Sequence, residues 1–254
     1  MRRLSLLVAC ALLAGCGGSK SDLPKSPPPS LAAQCGEAAA GIDAKPFWFR
    51  ASDKALLNGV AIGEGDTAVV LAHGSPSDLC SWLFYAKTLA SRGYLALAFD
   101  FRGLGKSKEQ FGERATRNDL DLEAASEQAR RRGADEVFLM GGSFGGAAVV
   151  WAGSEMGSDL AGIVDLSGPT SLFNAIGLAP KVTAPLLVVA SRHDRVVSPK
   201  DSRELVAAAG SKDKQVAIYS GGWHAQDLLY GAPYRARVDA LIMDFLRRHS
   251  TSGT

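Results

Sequence analysis

The stretch Glu136-Val137-Phe138-Leu139-Met140-Gly141-Gly142-Ser143-Phe144-Gly145-Gly146-Ala147-Ala148-Val149-Val150-Trp151 changes character at its middle. Val137 to Met140 form a short apolar run with no polar face, as a strand covered on both sides requires. From Phe144 to Glu155 the residues are small and apolar and read as a helix. The turn between strand and helix must be sharp, so the residues two before and two after Ser143, Gly141 and Gly145, can carry no bulk. Gly146 lets the helix approach the sheet. Such a turn lifts the Ser143 hydroxyl above the strand ends, over the positive end of the helix dipole. A glycine-rich phosphate loop would need a lysine after the glycines, and none is there.

Working outward, strand-length apolar runs alternate with helical segments. Strands are predicted at Phe47–Arg50, Leu56–Ile62, Ala68–Ala72, Tyr94–Phe99, Glu136–Met140, Ala161–Leu166, Leu186–Ala190 and Gln215–Tyr219. Helices are predicted at Leu79–Ser91, Asp119–Arg132, Phe144–Glu155, Pro199–Ala209 and Tyr234–Arg248, with Gly93, Gly133 and Gly210 as stops. Runs such as Val69-Val70-Leu71-Ala72 and Leu186-Leu187-Val188-Val189 are apolar on both faces. They imply a doubly wound α/β fold: a mostly parallel sheet of about eight strands with helices on both faces. The first two strands have no helix between them and are expected to form an antiparallel hairpin at one edge.

Four further segments carry polar chemistry at strand ends. The third strand runs into His73-Gly74-Ser75-Pro76, and the fourth into Asp100-Phe101-Arg102-Gly103-Leu104-Gly105-Lys106-Ser107. The seventh ends in Ser191-Arg192-His193-Asp194, ahead of a helix starting at Pro199. Beyond the eighth lies Ser220-Gly221-Gly222-Trp223-His224. With Ser143 these set a serine, an aspartate and a histidine in that chain order.

The G-x-S-x-G turn, the H-G loop, the D-x-R-G-x-G-x-S loop and the later Asp and His together resemble the α/β-hydrolase superfamily, over about Lys45 to Arg248. The resemblance implies a triad of Ser143 as nucleophile, His224 as base and Asp194 as its orienting acid. It also implies an oxyanion hole from the backbone N–H groups of Ser75 and Phe144. His73 is then a residue that shapes its loop, and no catalytic role passes to Asp100 or Arg102. Asp165, in Ile163-Val164-Asp165-Leu166-Ser167, is the alternative acid, since some members of the superfamily place it after the sixth strand. The overall pattern resembles compact esterases and dienelactone-hydrolase-like proteins. The latter use cysteine, so their particular activity does not carry over. The elbow is also similar to that of prolyl-oligopeptidase-type peptidases, although no propeller accompanies it. The reaction expected is hydrolysis of a small-molecule ester, thioester or amide through an acyl-enzyme, without cofactor or metal. An acyltransferase with the same triad and a binding protein without turnover are the alternatives.

Only Ser167 to Pro185 joins strands six and seven, enough for one short helix around Ser171–Leu178. No large lid is expected, and the site should be open. Trp223, Leu172 and Phe173 are candidate pocket residues.

The N-terminus reads as an address. Arg2 and Arg3 precede an apolar run from Leu4 to Leu13, too short to span a bilayer. Leu13-Ala14-Gly15-Cys16 resembles a bacterial lipobox, which implies lipidation of Cys16 after removal of residues 1–15. Gly17 in place of Asp favours the outer membrane in a Gram-negative envelope. Residues 16–36, rich in Pro, Ser, Gly and Lys, are expected to be a flexible tether, followed by one catalytic domain over 37–254. Without Arg2 and Arg3, 26 basic residues face 26 acidic ones, a balance that offers nothing to nucleic acid. A monomer is expected, with its membrane contact made through the lipid. Cys35 and Cys80 remain; outside the cytoplasm they either pair or stay as two thiols.

Overall fold

The computed structural model describes residues 23–108 and 110–251. Cys16 and the segment read as a signal peptide lie outside the described residues. Eight strands form one sheet: β1 (Phe47–Arg50), β2 (Leu56–Ile62), β3 (Thr67–Ala72), β4 (Leu95–Phe99), β5 (Glu136–Gly142), β6 (Gly162–Leu166), β7 (Leu186–Ser191) and β8 (Lys214–Tyr219). Their order is β1-β2-β4-β3-β5-β6-β7-β8. β2 pairs antiparallel with both β1 and β4, while β4 through β8 run parallel.

The helices are α1 (Leu31–Cys35), α2 (Leu83–Ala90), α3 (Asn118–Arg130), α4 (Phe144–Met156), α5 (Ala175–Leu178), α6 (Pro199–Ala208), α7 (Asp227–Tyr230) and α8 (Arg235–His249). Successive strand residues point to opposite faces, so the sheet feeds two cores. Val70, Leu97, Leu139 and Val188 pack against α3, α4 and α6. Val69, Leu71, Phe138 and Met140 pack against α2 and α8. Central strands buried on both faces explain why their sequences lack polar alternation.

The chain leaves β3 for β4 on one side and returns to β5 on the other. The strand order therefore reverses between β3 and β5, and the crevice at their C-terminal ends is where such sheets bind ligands. The His73–Ser75 loop leaves one of these strands and Ser143 leaves the other.

The N-terminal segment corrects one expectation. Residues 16–36 are not a free tether up to Gly36, because the chain is docked from about Ser26 onward. The Ser26 carbonyl accepts the Trp48 indole N–H (3.0 Å), Pro28 is buried, and Ser30 caps α1 through the Ala33 N–H. Leu31 is 4% exposed within the α2/α8 core. Gln34 accepts from the Asn58 side chain at 2.8 Å. A proline- and serine-rich composition predicted an extended tether, but one buried leucine on one helical turn suffices to dock this piece. Cys35 and Cys80 are joined by a disulfide, with Cα atoms 5.4 Å apart.

Candidate active site

Ser143 lies between β5 and α4 with φ +55°, a left-handed conformation that a residue with a side chain adopts only when its surroundings demand it. Those surroundings are backbone. A Cβ on Gly141 would collide with the Gly145 carbonyl, and one on Gly145 with the carbonyls of Ala72 and His73. The Ser143 N–H donates to the Leu166 carbonyl (2.9 Å), and its own carbonyl accepts the Ala147 N–H as α4 begins. The Phe144 N–H falls in the first helical turn, where no intrahelical acceptor exists.

Asp194 and His224 arrive on adjacent loops beyond β7 and β8. The loops are tied together by backbone bonds from Arg192 to Tyr219 and from His193 to Gly221, each 2.8 Å. His224 Nδ1 lies 2.8 Å from Asp194 Oδ2. Because a carboxylate only accepts, Nδ1 carries the proton and Nε2 is the nitrogen left for the cleft. The Asp194 side chain is fully buried, and its Oδ1 accepts the N–H groups of Val196 (2.8 Å) and Val197 (3.2 Å). His224 and Ser143 line one cleft of ≈ 520 Å³, together with Gly74 and Ser75 from the loop after β3.

The other acidic and basic candidates are spoken for. Asp165 is the fourth residue of β6, buried, and its Oδ1 accepts the Gly168 N–H at 2.7 Å. It packs against Gly146 of α4 and not in the cleft. Burial pushes its carboxyl up to about 7. His73 donates from Nδ1 to the Gly74 carbonyl (2.7 Å) and accepts the Phe101 N–H at Nε2 (3.1 Å). Burial lowers its pKa, and with both nitrogens engaged it shapes the loop.

Asp100 accepts from the Leu79 N–H, the Lys106 N–H and the Asn58 amide, at 2.8, 2.8 and 2.7 Å. It thereby fixes the start of the 3-10 turn Leu79–Trp82, which carries Ser81 into the cleft wall. The buried Arg102 guanidinium is held by Asp121 and Asp53, each at 2.7 Å. Both loop residues are structural supports, as the resemblance implied.

The pocket residues need correction. Trp223, Leu172 and Phe173 are not among those lining the cleft. Trp223 packs beside Gly231, within the cluster that includes Tyr219 and Tyr234. Phe173 meets Phe144 edge-to-face at 5.0 Å and stacks on Trp151 at 5.1 Å, extending a ladder that starts at Phe101. Leu172 is 38% exposed on the connector surface. Proximity in sequence to a reacting residue did not carry these side chains into the cleft. Instead the walls come from Ser81, Val196, Gln226, Asp227 and Tyr230. The Gln226 amide donates to Ser81 Oγ (3.3 Å), and the Tyr230 hydroxyl donates to the Ser81 carbonyl (2.7 Å). Their one sequence signal was position: Gln226, Asp227 and Tyr230 follow the histidine by two, three and six residues.

A doubly wound sheet with a serine on a strained turn after β5 and a buried carboxylate behind a histidine defines the α/β-hydrolase class. Residues 63–176 and 172–226 match the family described as serine aminopeptidase, S33 (Hydrolase_4), and the chain belongs to that family. Among curated proteins it is 34% identical over 122 residues to dipeptidyl aminopeptidase BIII of Pseudoxanthomonas mexicana, a match covering 44% of this chain and 18% of that protein. It is 33% identical over 111 residues to epoxide hydrolase B of Mycobacterium tuberculosis, covering 43% and 31%. The matched region is thus under a third of either relative's length. Among solved structures, an esterase of Pyrococcus furiosus superposes with a TM-score of 0.75 at 18% identity, covering 88% of this chain and 99% of that one. That likeness speaks for the fold.

Proposed function

We propose that the protein is a serine hydrolase that cleaves carboxylic esters, or related thioester or amide acyl bonds, through an acyl-enzyme. The observation that carries this reading is the short bond from His224 to a buried Asp194, on a histidine that shares its cleft with the strained Ser143. His224 Nε2 takes the Ser143 proton as Oγ attacks the acyl carbon, and Asp194 holds the imidazole's tautomer and stabilises the imidazolium. The N–H groups of Ser75 and Phe144 receive the oxyanion, with removal of one such donor typically costing about 3–4 kcal/mol. The proton then passes from the imidazolium to the leaving group, and water attacking the acyl-enzyme returns Ser143.

A fluorophosphonate should label Ser143 covalently, and Ser143→Ala should abolish labelling with a loss of ~10⁴–10⁶ in turnover. Labelling that survives the substitution would place the nucleophile elsewhere. Residues 167–185, which join β6 to β7, hold only α5 and two single 3-10 turns, which supports an unlidded site. A panel of aryl esters should therefore favour short acyl chains of roughly two to six carbons over emulsified long-chain lipid. Matched anilides in the same panel separate ester from amide cleavage. In the same reading Cys16 bears lipid and holds the enzyme on the bacterial envelope, on the outer membrane if the cell is Gram-negative.

A further inference from the structure

Tyr234 reaches both of the loops that carry the acid and the base. It stands at the start of α8, where its carbonyl accepts the Arg237 and Val238 N–H groups at 2.8 and 3.2 Å. α8 is seated in turn by the buried Val238, Ile242, Phe245 and Leu246. From that footing the phenol extends to the end of β7, where its hydroxyl lies 3.0 Å from Ser191 Oγ. Ser191 is fully buried and opens the acid loop, its carbonyl accepting the Asp194 N–H. The Tyr234 ring also lies flat on Tyr219, with centroids 4.8 Å apart and planes within 11°. Tyr219 ends β8, and its carbonyl takes the Arg192 N–H. Two residues on, Gly221 turns the base loop with φ +89° past the same hydroxyl, and a Cβ there would stand 3.9 Å from the Tyr234 oxygen. One side chain thus meets the strand end ahead of Asp194 and the strand end ahead of His224.

A reacting constellation works only when its members are held to within about half an ångström by side chains that are themselves locked. The backbone bonds from Arg192 and His193 join the two loops to each other, whereas Tyr234 joins both to the body of the protein. Resting on the hydrolase reading above, we propose that Tyr234 is a positioning residue. Through its bond to Ser191 and its stack on Tyr219 it sets the spacing between Asp194 and His224. Tyr234 and Ser191 are not among the residues lining the cleft, so their effect falls on kcat and not on substrate binding. Ser191 is the necessary partner, because a side chain without a hydroxyl at the end of β7 would give the phenol nothing to hold.

The test cuts the bond from each side. Tyr234→Phe keeps the ring and its stack and removes one oxygen, and Ser191→Ala removes the other. With an aryl acetate as substrate, each should lower kcat by about tenfold while KM stays within about twofold, the size expected for a sub-ångström drift of reacting groups. Losing either oxygen strands its partner, so the double variant should be no slower than the slower single one. Additive losses would mean that the two hydroxyls act apart, against the proposal. A second readout is the proton NMR line of His224 Nδ1–H, assigned by its loss in His224→Gln. A proton locked to Asp194 exchanges slowly with water and gives a resolved downfield line, which should move upfield and broaden in both variants. A bond that only adds stability would lower the denaturation midpoint and leave the line and kcat unchanged. That result overturns the proposal, as does an effect on KM alone. If Tyr234→Phe does not fold, Ser191→Ala decides. If no ester is cleaved and a fluorophosphonate leaves Ser143 unlabelled, the hydrolase reading fails instead. The NMR line needs only the Asp194–His224 pair and still decides whether Tyr234 positions it.

Discussion

His224 Nδ1 sits 2.8 Å from Asp194 Oδ2, while Asp194 Oδ1 is occupied by the backbone N–H groups of Val196 and Val197. The carboxylate is therefore aimed from both ends. Asp194→Asn keeps the shape but permits the amide to donate, which stabilises the wrong imidazole tautomer. Turnover should fall by ~10⁴ while far-UV circular dichroism is unchanged. Asp165→Asn, away from the cleft, should cost less than tenfold by the same reasoning. The reverse ranking in folded proteins would move the acid role to Asp165.

Asp165 makes a separate prediction about pH. Its carboxyl is raised in the fold from 3.8 to about 7, since burial penalises the charge and a single Gly168 N–H only partly offsets that. The folded state then binds the proton more tightly than the unfolded chain. Stability from this group is full below about pH 4, declines as pH rises toward 7, and is flat above. Over that window the loss is at most on the order of 4 kcal/mol. Asp165→Asn should flatten the pH dependence of the denaturation midpoint between pH 4 and 7 relative to wild type. Parallel curves would show that Asp165 is charged throughout.

The disulfide between Cys35 and Cys80 closes a loop across 45 positions. Chain-entropy reasoning assigns such a closure about 4 kcal/mol. A Cys35→Ser, Cys80→Ser protein should lose stability of that order in denaturant titration, and the wild type should lose a similar amount on reduction. Because Cys80 adjoins Ser81 in the cleft wall, KM should change more than kcat. An unchanged midpoint would mean that α1 docks without its covalent bond.

Cys16→Ser tests the anchor. The variant should leave the membrane fraction or keep its leader, visible as a higher mass. Identical partitioning and identical mature mass would remove the lipid from the account.

The parts of this molecule that were legible in the sequence are those that local chemistry dictates. Val69–Ala72 and Leu186–Val189 announced central parallel strands because burial on two faces leaves no room for polar alternation. Ser143 was legible because its +55° φ demands small neighbours within a few residues. The hairpin edge and the positions of Asp194 and His224 followed from strand ends. What stayed hidden depends on contacts between distant segments. Ser81, Gln226 and Tyr230 meet across some 145 residues, so no local pattern marks the wall they build. Trp223 was misplaced for the same reason, since Gly231 opens a seat for its ring away from the cleft. The docking of Leu31 was hidden because one leucine amid prolines and serines carries no periodicity.

The disulfide also decides where mechanical load enters the fold. A pull applied ahead of Leu31 passes along α1 to Cys35, where the covalent path forks: one branch continues to β1 and the other crosses directly to Cys80. Strand β1 lies at the sheet edge, where its one hydrogen-bonded neighbour is β2 and Phe49 seats it in the core. The crosslink delivers tension to the turn Leu79–Trp82, whose Leu79 and Trp82 are wholly buried. Were Cys16 to carry the proposed lipid, drag on the N-terminal segment would thus reach the wall of the cleft as well as the edge of the sheet.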